Sequence, residues 1–180
     1  MTGLKWGCMR ELILGGVRSG KSMLAEQHAT ASGLSVVYVA TAEVRDEEMR
    51  ERIVHHQARR PAHWQLVEAG GGLAAVLQRE AAADCCVLVD CLTLWLTQLL
   101  CDTDEPRLRF EVSELLRILP DLPGQIILVS NETNMGITPM GELSRRYCDE
   151  AGRLHQQLGA ICERVILTVA GLPLVLKSSL

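Results

Sequence analysis

The chain has 180 residues, 48% of them hydrophobic and only 3% aromatic, and a formal net charge of -4. That length suits one well-packed domain and is short for two, and so few aromatics leave the core to Leu, Val, Ile and Ala. The charge excludes a general nucleic-acid binder, which needs a strongly basic face.

Residues 1–9 read as a loose leader, with Met9 a possible alternative start. The first predicted strand is about 11–14. It runs into Gly15-Gly16-Val17-Arg18-Ser19-Gly20-Lys21-Ser22, which fits the pattern of a glycine, four residues, then Gly-Lys-Ser. A helix to about Ala31 follows, then a buried parallel strand, Val36 to Ala40. Strand, glycine loop and helix together predict a phosphate-binding loop. Its backbone N–H groups would ring a phosphate at the positive end of the new helix. Lys21 would reach the β- and γ-phosphates and the Ser22 hydroxyl would ligate Mg²⁺, so the chain is expected to bind a nucleoside triphosphate.

Beyond a loop at 41–44, a helix is expected over about 46–59, with Asp46 as its N-cap and Pro61 as its stop. At about 100° per residue, Met49, Ile53 and His56 share one stripe while His55 points away. An inward His56, followed by Arg59 and Arg60, is either a hydrogen-bonded core histidine or a nucleophile toward phosphorus. A short strand at 64–68, a turn at 70–72 and a helix at 73–82 come next.

Val87, Leu88 and Val89 form a third buried strand that ends at Asp90. Asp90 is either the acidic partner of the phosphate loop, holding Mg²⁺ opposite Ser22, or the N-cap of the helix carrying Leu92, Trp95, Leu96 and Leu99. Residues 102–106 read as an acidic loop, 108–119 as a helix and 120–124 as a turn. Ile126 to Val129 is a fourth strand, opening into a polar loop at 130–139 that suits either a substrate pocket or a surface turn. A long helix at 140–162 carries Arg145 and Arg146, expected to pair with Asp149 and Glu150 on a solvated face. A fifth strand covers 165–169, and a turn at 171–173 leads to a last short strand, 174–176. The alternation argues a doubly wound α/β fold, a mostly parallel sheet with a short antiparallel C-terminal edge strand.

Seven cysteines, an odd number, show no metal-ligand spacing. Most lie in apolar runs, which predicts reduced core residues and a cytoplasmic protein. No signal peptide is seen in the first ten residues. The most apolar stretch, 85–100, is broken by Asp90 and Gln98 and is too short to span a membrane.

Together these residues resemble one family, the bifunctional adenosylcobinamide kinase/adenosylcobinamide-phosphate guanylyltransferases of cobalamin biosynthesis. The phosphate loop matches the family's GGxRSGKS. Further blocks are Tyr38-Val39-Ala40-Thr41-Ala42, Asp46-Glu47-Glu48-Met49 through His55-His56, and Arg60-Pro61-Ala62-His63-Trp64. Leu88-Val89-Asp90-Cys91-Leu92-Thr93, Asn131-Glu132 with Met135-Gly136-Ile137, Ala151-Gly152-Arg153 and Val169-Ala170-Gly171 complete them.

The resemblance implies a P-loop NTPase-like (RecA-like) fold. It implies phosphorylation of adenosylcobinamide with ATP or GTP, then transfer of GMP from GTP to adenosylcobinamide phosphate through a guanylylated His56. It further implies nucleotide contacts from Ala40, Thr41, Ala42, Gln57, Ala58, Arg59, Arg60, Glu68 and Asp90, and a homotrimer. Asp90 stands where some relatives have Glu, and Thr133-Asn134 where several have Val-Gly; Asn134 can still adopt a left-handed angle there. A simple small-molecule kinase and a nucleotide-dependent regulatory switch remain the competing readings.

Overall fold

The computed structural model describes residues 8–41, 61–102 and 104–179. Seven strands form one sheet: β1 (Arg10–Gly15), β2 (Ser35–Ala40), β3 (Gln65–Glu68), β4 (Cys85–Asp90), β5 (Gln125–Asn131), β6 (Arg164–Val169) and β7 (Leu172–Ser178). Their spatial order is β3-β2-β4-β5-β1-β6-β7, and every pairing is parallel except β6 with β7. The described helices are α1 (Lys21–Ala31), α2 (Leu73–Glu80), α3 (Leu92–Cys101), α4 (Glu105–Ile118) and α5 (Glu142–Ile161), with a 3-10 turn at Leu119–Asp121.

The central strands are apolar along both faces because helices cover both. Val37, Val39, Val87, Val89, Ile126 and Leu128 face one way, onto Leu73, Leu77, Trp95, Leu99, Leu115 and Leu158 of the helical layer. Val36, Tyr38, Cys86, Leu88, Ile127 and Val129 face the other, where α1 contributes Ala25 and Ala29. Side chains that alternate across a strand thus feed two cores, which is the doubly wound arrangement expected.

Three local expectations change. The loop at 102–106 is shorter, because Asp104 caps α4 by accepting from the Arg107 N–H at 3.0 Å. Pro106 sits in that helix's first turn, where a missing N–H costs nothing. Ser130 and Asn131 belong to β5, paired with Leu14 and Gly15. The last strand is seven residues long: Ala170 (φ 52°) and Gly171 (φ 79°) make a two-residue hairpin turn. Both residues have the positive φ that such turns need, and Pro173 is tolerated because β7 is an edge.

Arg145 and Arg146 are not a simple salt-bridged face either. Arg145 donates to the Pro139 and Met140 carbonyls, and Arg146 reaches Glu105 on α4. All seven cysteines are free thiols, three of them buried. Among the described residues no helix is long and apolar enough to cross a membrane.

Candidate functional site: a phosphate loop between two strand ends

The carboxyl ends of the parallel strands converge on one edge of the sheet. β1 leads there into the loop of Gly15, Gly16, Val17, Arg18, Ser19 and Gly20, and α1 begins at Lys21 and Ser22. Gly15 has no room for a side chain, since an added Cβ would lie 2.6 Å from the Thr168 carbonyl oxygen and closer still to Ser19 Oγ. Gly20 turns the loop into the helix at φ 96°. It is the N-cap, with no capping side chain and no acidic residue in the first turn of α1. The first N–H groups of α1 thus end in a positive helix terminus suited to an anion.

The loop is tied to its flanks. Ser19 O accepts the Gly171 N–H at 2.9 Å, and Gly15 O accepts the Glu132 N–H at 3.0 Å. Val17, at its tip, is exposed, whereas Lys21 is only 8% exposed and donates through Nζ to Gly16 O at 2.9 Å. The ammonium therefore lies over the loop it would share with a phosphate.

Asp90 stands two strands from β1. The strand register sets Glu68, Ala40 and Asp90 side by side on β3, β2 and β4, with Val129 of β5 next to Asp90. The capping alternative for Asp90 fails, because the N-cap of α3 is Cys91 and no side chain caps it. The Asp90 carboxylate instead accepts the Tyr38 hydroxyl at Oδ2, 3.0 Å away. Burial and the neighbouring Asp90 push the Cys91 thiol up to about 11, opposed by Lys21, so ammonium, carboxylate and thiol share one region.

Thr41, 2% exposed, is taken up in holding this edge together. Its hydroxyl donates to Cys91 O at 2.6 Å and accepts the Cys91 N–H at 2.9 Å. Asn134 does not use the left-handed angle open to it. It is pinned instead by its N–H to Glu132 Oε1 (2.8 Å) and its side-chain amide to Cys148 O (3.0 Å). The loop carrying it lines a groove of about 490 Å³ with Thr133, Gly136, Ile137 and Arg153.

Of the expected site residues, the structure brings together the phosphate loop, Ser22, Ala40, Thr41, Glu68 and Asp90 on one edge. His56, Ala42, Gln57, Ala58, Arg59 and Arg60, with the helix expected over 46–59, lie outside the described residues. Sequence reasoning missed Tyr38 as the Asp90 partner and His155, a lone histidine in the buried stripe Ala151, Leu154 and Leu158 of α5. A single phenol in an aliphatic strand and a single imidazole in an apolar helical stripe were the available signals.

Comparison with known proteins settles the family. Residues 11–176 match the family model described as cobinamide kinase / cobinamide phosphate guanyltransferase. The chain belongs to this family. As a member it is an enzyme of cobalamin biosynthesis, both a kinase and a guanylyltransferase. It is 62% identical over 169 residues to the bifunctional adenosylcobalamin biosynthesis protein CobP of Pseudomonas aeruginosa, covering 94% of this chain and 98% of the relative. It is 36% identical over 182 residues to the CobU protein of Escherichia coli, covering 94% and 100%.

Solved structures at lower identity show the P-loop NTPase fold. The RadB recombinase aligns with a TM-score of 0.53 at 18% identity, covering 89% of this chain and 74% of that one. The flagellar accessory protein FlaH from Methanocaldococcus jannaschii aligns with a TM-score of 0.53 at 15% identity, covering 96% and 79%. Both are similar in fold alone.

Proposed function

We propose that this family member, as one catalytic domain, phosphorylates the aminopropanol hydroxyl of adenosylcobinamide with ATP or GTP. It then transfers GMP from GTP to adenosylcobinamide phosphate, with His56 carrying the guanylyl group between the two. The observation that supports this most is the phosphate loop, rigidly tied, with buried Lys21 at its base and Asp90 two strands away. One triphosphate site serves both reactions. For the kinase step it presents the γ-phosphate to the alcohol. For guanylylation it holds the leaving pyrophosphate while neutral His56 attacks the α-phosphorus.

Ser22 and Asp90 fit Mg²⁺ that arrives with the nucleotide. One hydroxyl and one carboxylate, with no cluster of three acidic, His or Cys ligands among the described residues, suit a hard cation that keeps its waters and phosphate oxygens. The ion would neutralise charge on the phosphates. Ala40, Ala42, Gln57, Ala58, Arg59, Arg60 and Glu68 complete the nucleotide's surroundings, and Thr41 meets it through its main chain, since Cys91 occupies its hydroxyl. A homotrimer is supported by the hairpin strand β7, whose Leu172, Leu174, Val175 and Leu176 are all exposed. Free thiols throughout support a cytoplasmic setting.

The test is labelling with GTP carrying radioactive α-phosphate. The protein should retain label that is lost in acid and stable in base, as a phosphoramidate is. A His56→Ala protein that labels as well as wild type would overturn the assignment of the nucleophile. Complete absence of label in wild type would leave a kinase that makes no covalent adduct.

A further inference from the structure

The kinase step needs a group to receive the acceptor's proton, and the candidates already placed are committed elsewhere. Asp90 accepts from Tyr38 and is the proposed partner of Mg²⁺, and Lys21 is a cation. A second acidic residue is joined to the loop through its backbone. Ser130 and Asn131 at the end of β5 pair with Leu14 and Gly15, and the next residue, Glu132, donates its backbone N–H to Gly15 O at 3.0 Å. Because β5 lies between β1 and β4, Glu132 emerges between the phosphate loop and the Asp90 strand. The groove of about 490 Å³ begins at the following residue, Thr133, and continues along Asn134, Gly136, Ile137 and Arg153. Glu132 does not itself line that groove, but it joins the strand end bonded to Gly15 to Thr133, which lines a groove of the size small ligands fill.

The Glu132 side chain is 15% exposed and held from two sides. Oε1 accepts the Asn134 N–H at 2.8 Å, and Oε2 faces His155 Nδ1 at 3.6 Å. A carboxylate offers about four lone-pair positions, so capacity to accept a proton remains. His155 is itself oriented: Nε2 lies 2.8 Å from Ser130 Oγ, and Ser130 Oγ lies 3.5 Å from Thr93 Oγ1, which accepts the Asn131 N–H. Nδ1 of His155 is buried, with no hydrogen-bond partner at normal distance among the described residues. Burial depresses the His155 pKa, against the pull of Glu132, and so favours a neutral ring. In the neutral tautomer with its proton on Nδ1, His155 accepts from Ser130 at Nε2 and turns the Nδ1–H toward Glu132.

We propose that Glu132 is the general base of the kinase step and that His155 is its positioning residue. The proposal rests on the kinase reading above. The acceptor hydroxyl enters from the groove and its oxygen bonds to the γ-phosphorus. The bond from that phosphorus to the β,γ-bridging oxygen breaks, and the nucleoside diphosphate leaves with the electron pair. The hydroxyl proton ends on a Glu132 carboxylate oxygen. Guanylyl transfer has no such need, because its acceptor is an already ionised phosphate. Among the described residues, the titratable groups facing Glu132 are His155 and Tyr147 of α5, the latter's phenol pushed up to about 12, chiefly by burial.

The test uses full-length Glu132→Gln, His155→Ala and His155→Asn. Each is assayed for phosphorylation of adenosylcobinamide and, separately, for GMP transfer to adenosylcobinamide phosphate. Glu132→Gln should lower the kinase kcat by about a hundredfold or more and reduce GMP transfer far less. His155→Ala should lower kinase kcat more than it raises KM, and His155→Asn, which keeps an N–H donor, should restore most of it. A Glu132→Gln enzyme with wild-type kinase kcat, or one losing both activities equally, would overturn the base assignment. Wild-type protein that transfers GMP but phosphorylates no corrinoid alcohol would instead overturn the kinase reading, and the base with it.

Discussion

Replacing Thr41 by Val removes one hydroxyl from a site that is 2% exposed and leaves the shape almost unchanged. The hydroxyl makes two hydrogen bonds to the same residue, donating to Cys91 O at 2.6 Å and accepting from Cys91 N at 2.9 Å. Each contributes about 1 kcal/mol net, and the Cys91 N–H left without a partner adds its desolvation cost, so the total is about 2–4 kcal/mol. Thr41→Ser deletes only a methyl group and keeps both bonds, at a cost of about 1 kcal/mol. The expected stability order is therefore Thr, then Ser, then Val. Urea unfolding read at constant m-value measures it. A Val variant within about 0.5 kcal/mol of wild type, or more stable than the Ser variant, would refute the view that this hydroxyl clamps the exits of β2 and β4 together.

Gly15→Ala should cost about 1–3 kcal/mol and weaken nucleotide binding, because the new methyl meets the Thr168 carbonyl, which the β6 ladder holds in place. Thermal melts and nucleotide titration check both, and unchanged affinity would contradict the packing argument. His155 should make stability depend on pH. Burial lowers its folded pKa below the ordinary 6.5, so its contribution is complete above that value. It is lost as the pH falls toward the depressed folded value. Wild type should therefore lose stability more steeply than His155→Asn below pH 6.5, and parallel slopes would refute it.

Strands β1, β2, β4 and β5 were legible because both faces are buried, which writes an apolar run into the chain. The phosphate loop was legible because its glycines and lysine are local requirements. β7 was read too short because its residues are exposed, carry no in-out alternation and include Pro173. The start of α4 was hidden by Pro106, which reads as a breaker anywhere except in a first turn. The site's finer connections were not legible at all. Tyr38 meets Asp90 across 52 residues and His155 meets Ser130 across 25, and no local pattern specifies such pairs. Asn134 illustrates the converse: its residue type allows a left-handed angle, but contacts with Glu132 and Cys148 decide its conformation.

The two backbone bonds on the phosphate loop, from Glu132 to Gly15 and from Gly171 to Ser19, have a thermodynamic meaning as well as a geometric one. A glycine-rich segment is among the most costly stretches of chain to immobilise. Here folding of the sheet immobilises it, since the donors come from the ends of β5 and of the β6–β7 hairpin. The ordering entropy is charged to the folding transition, so an arriving triphosphate meets a preorganised cradle and keeps more of its interaction energy as affinity.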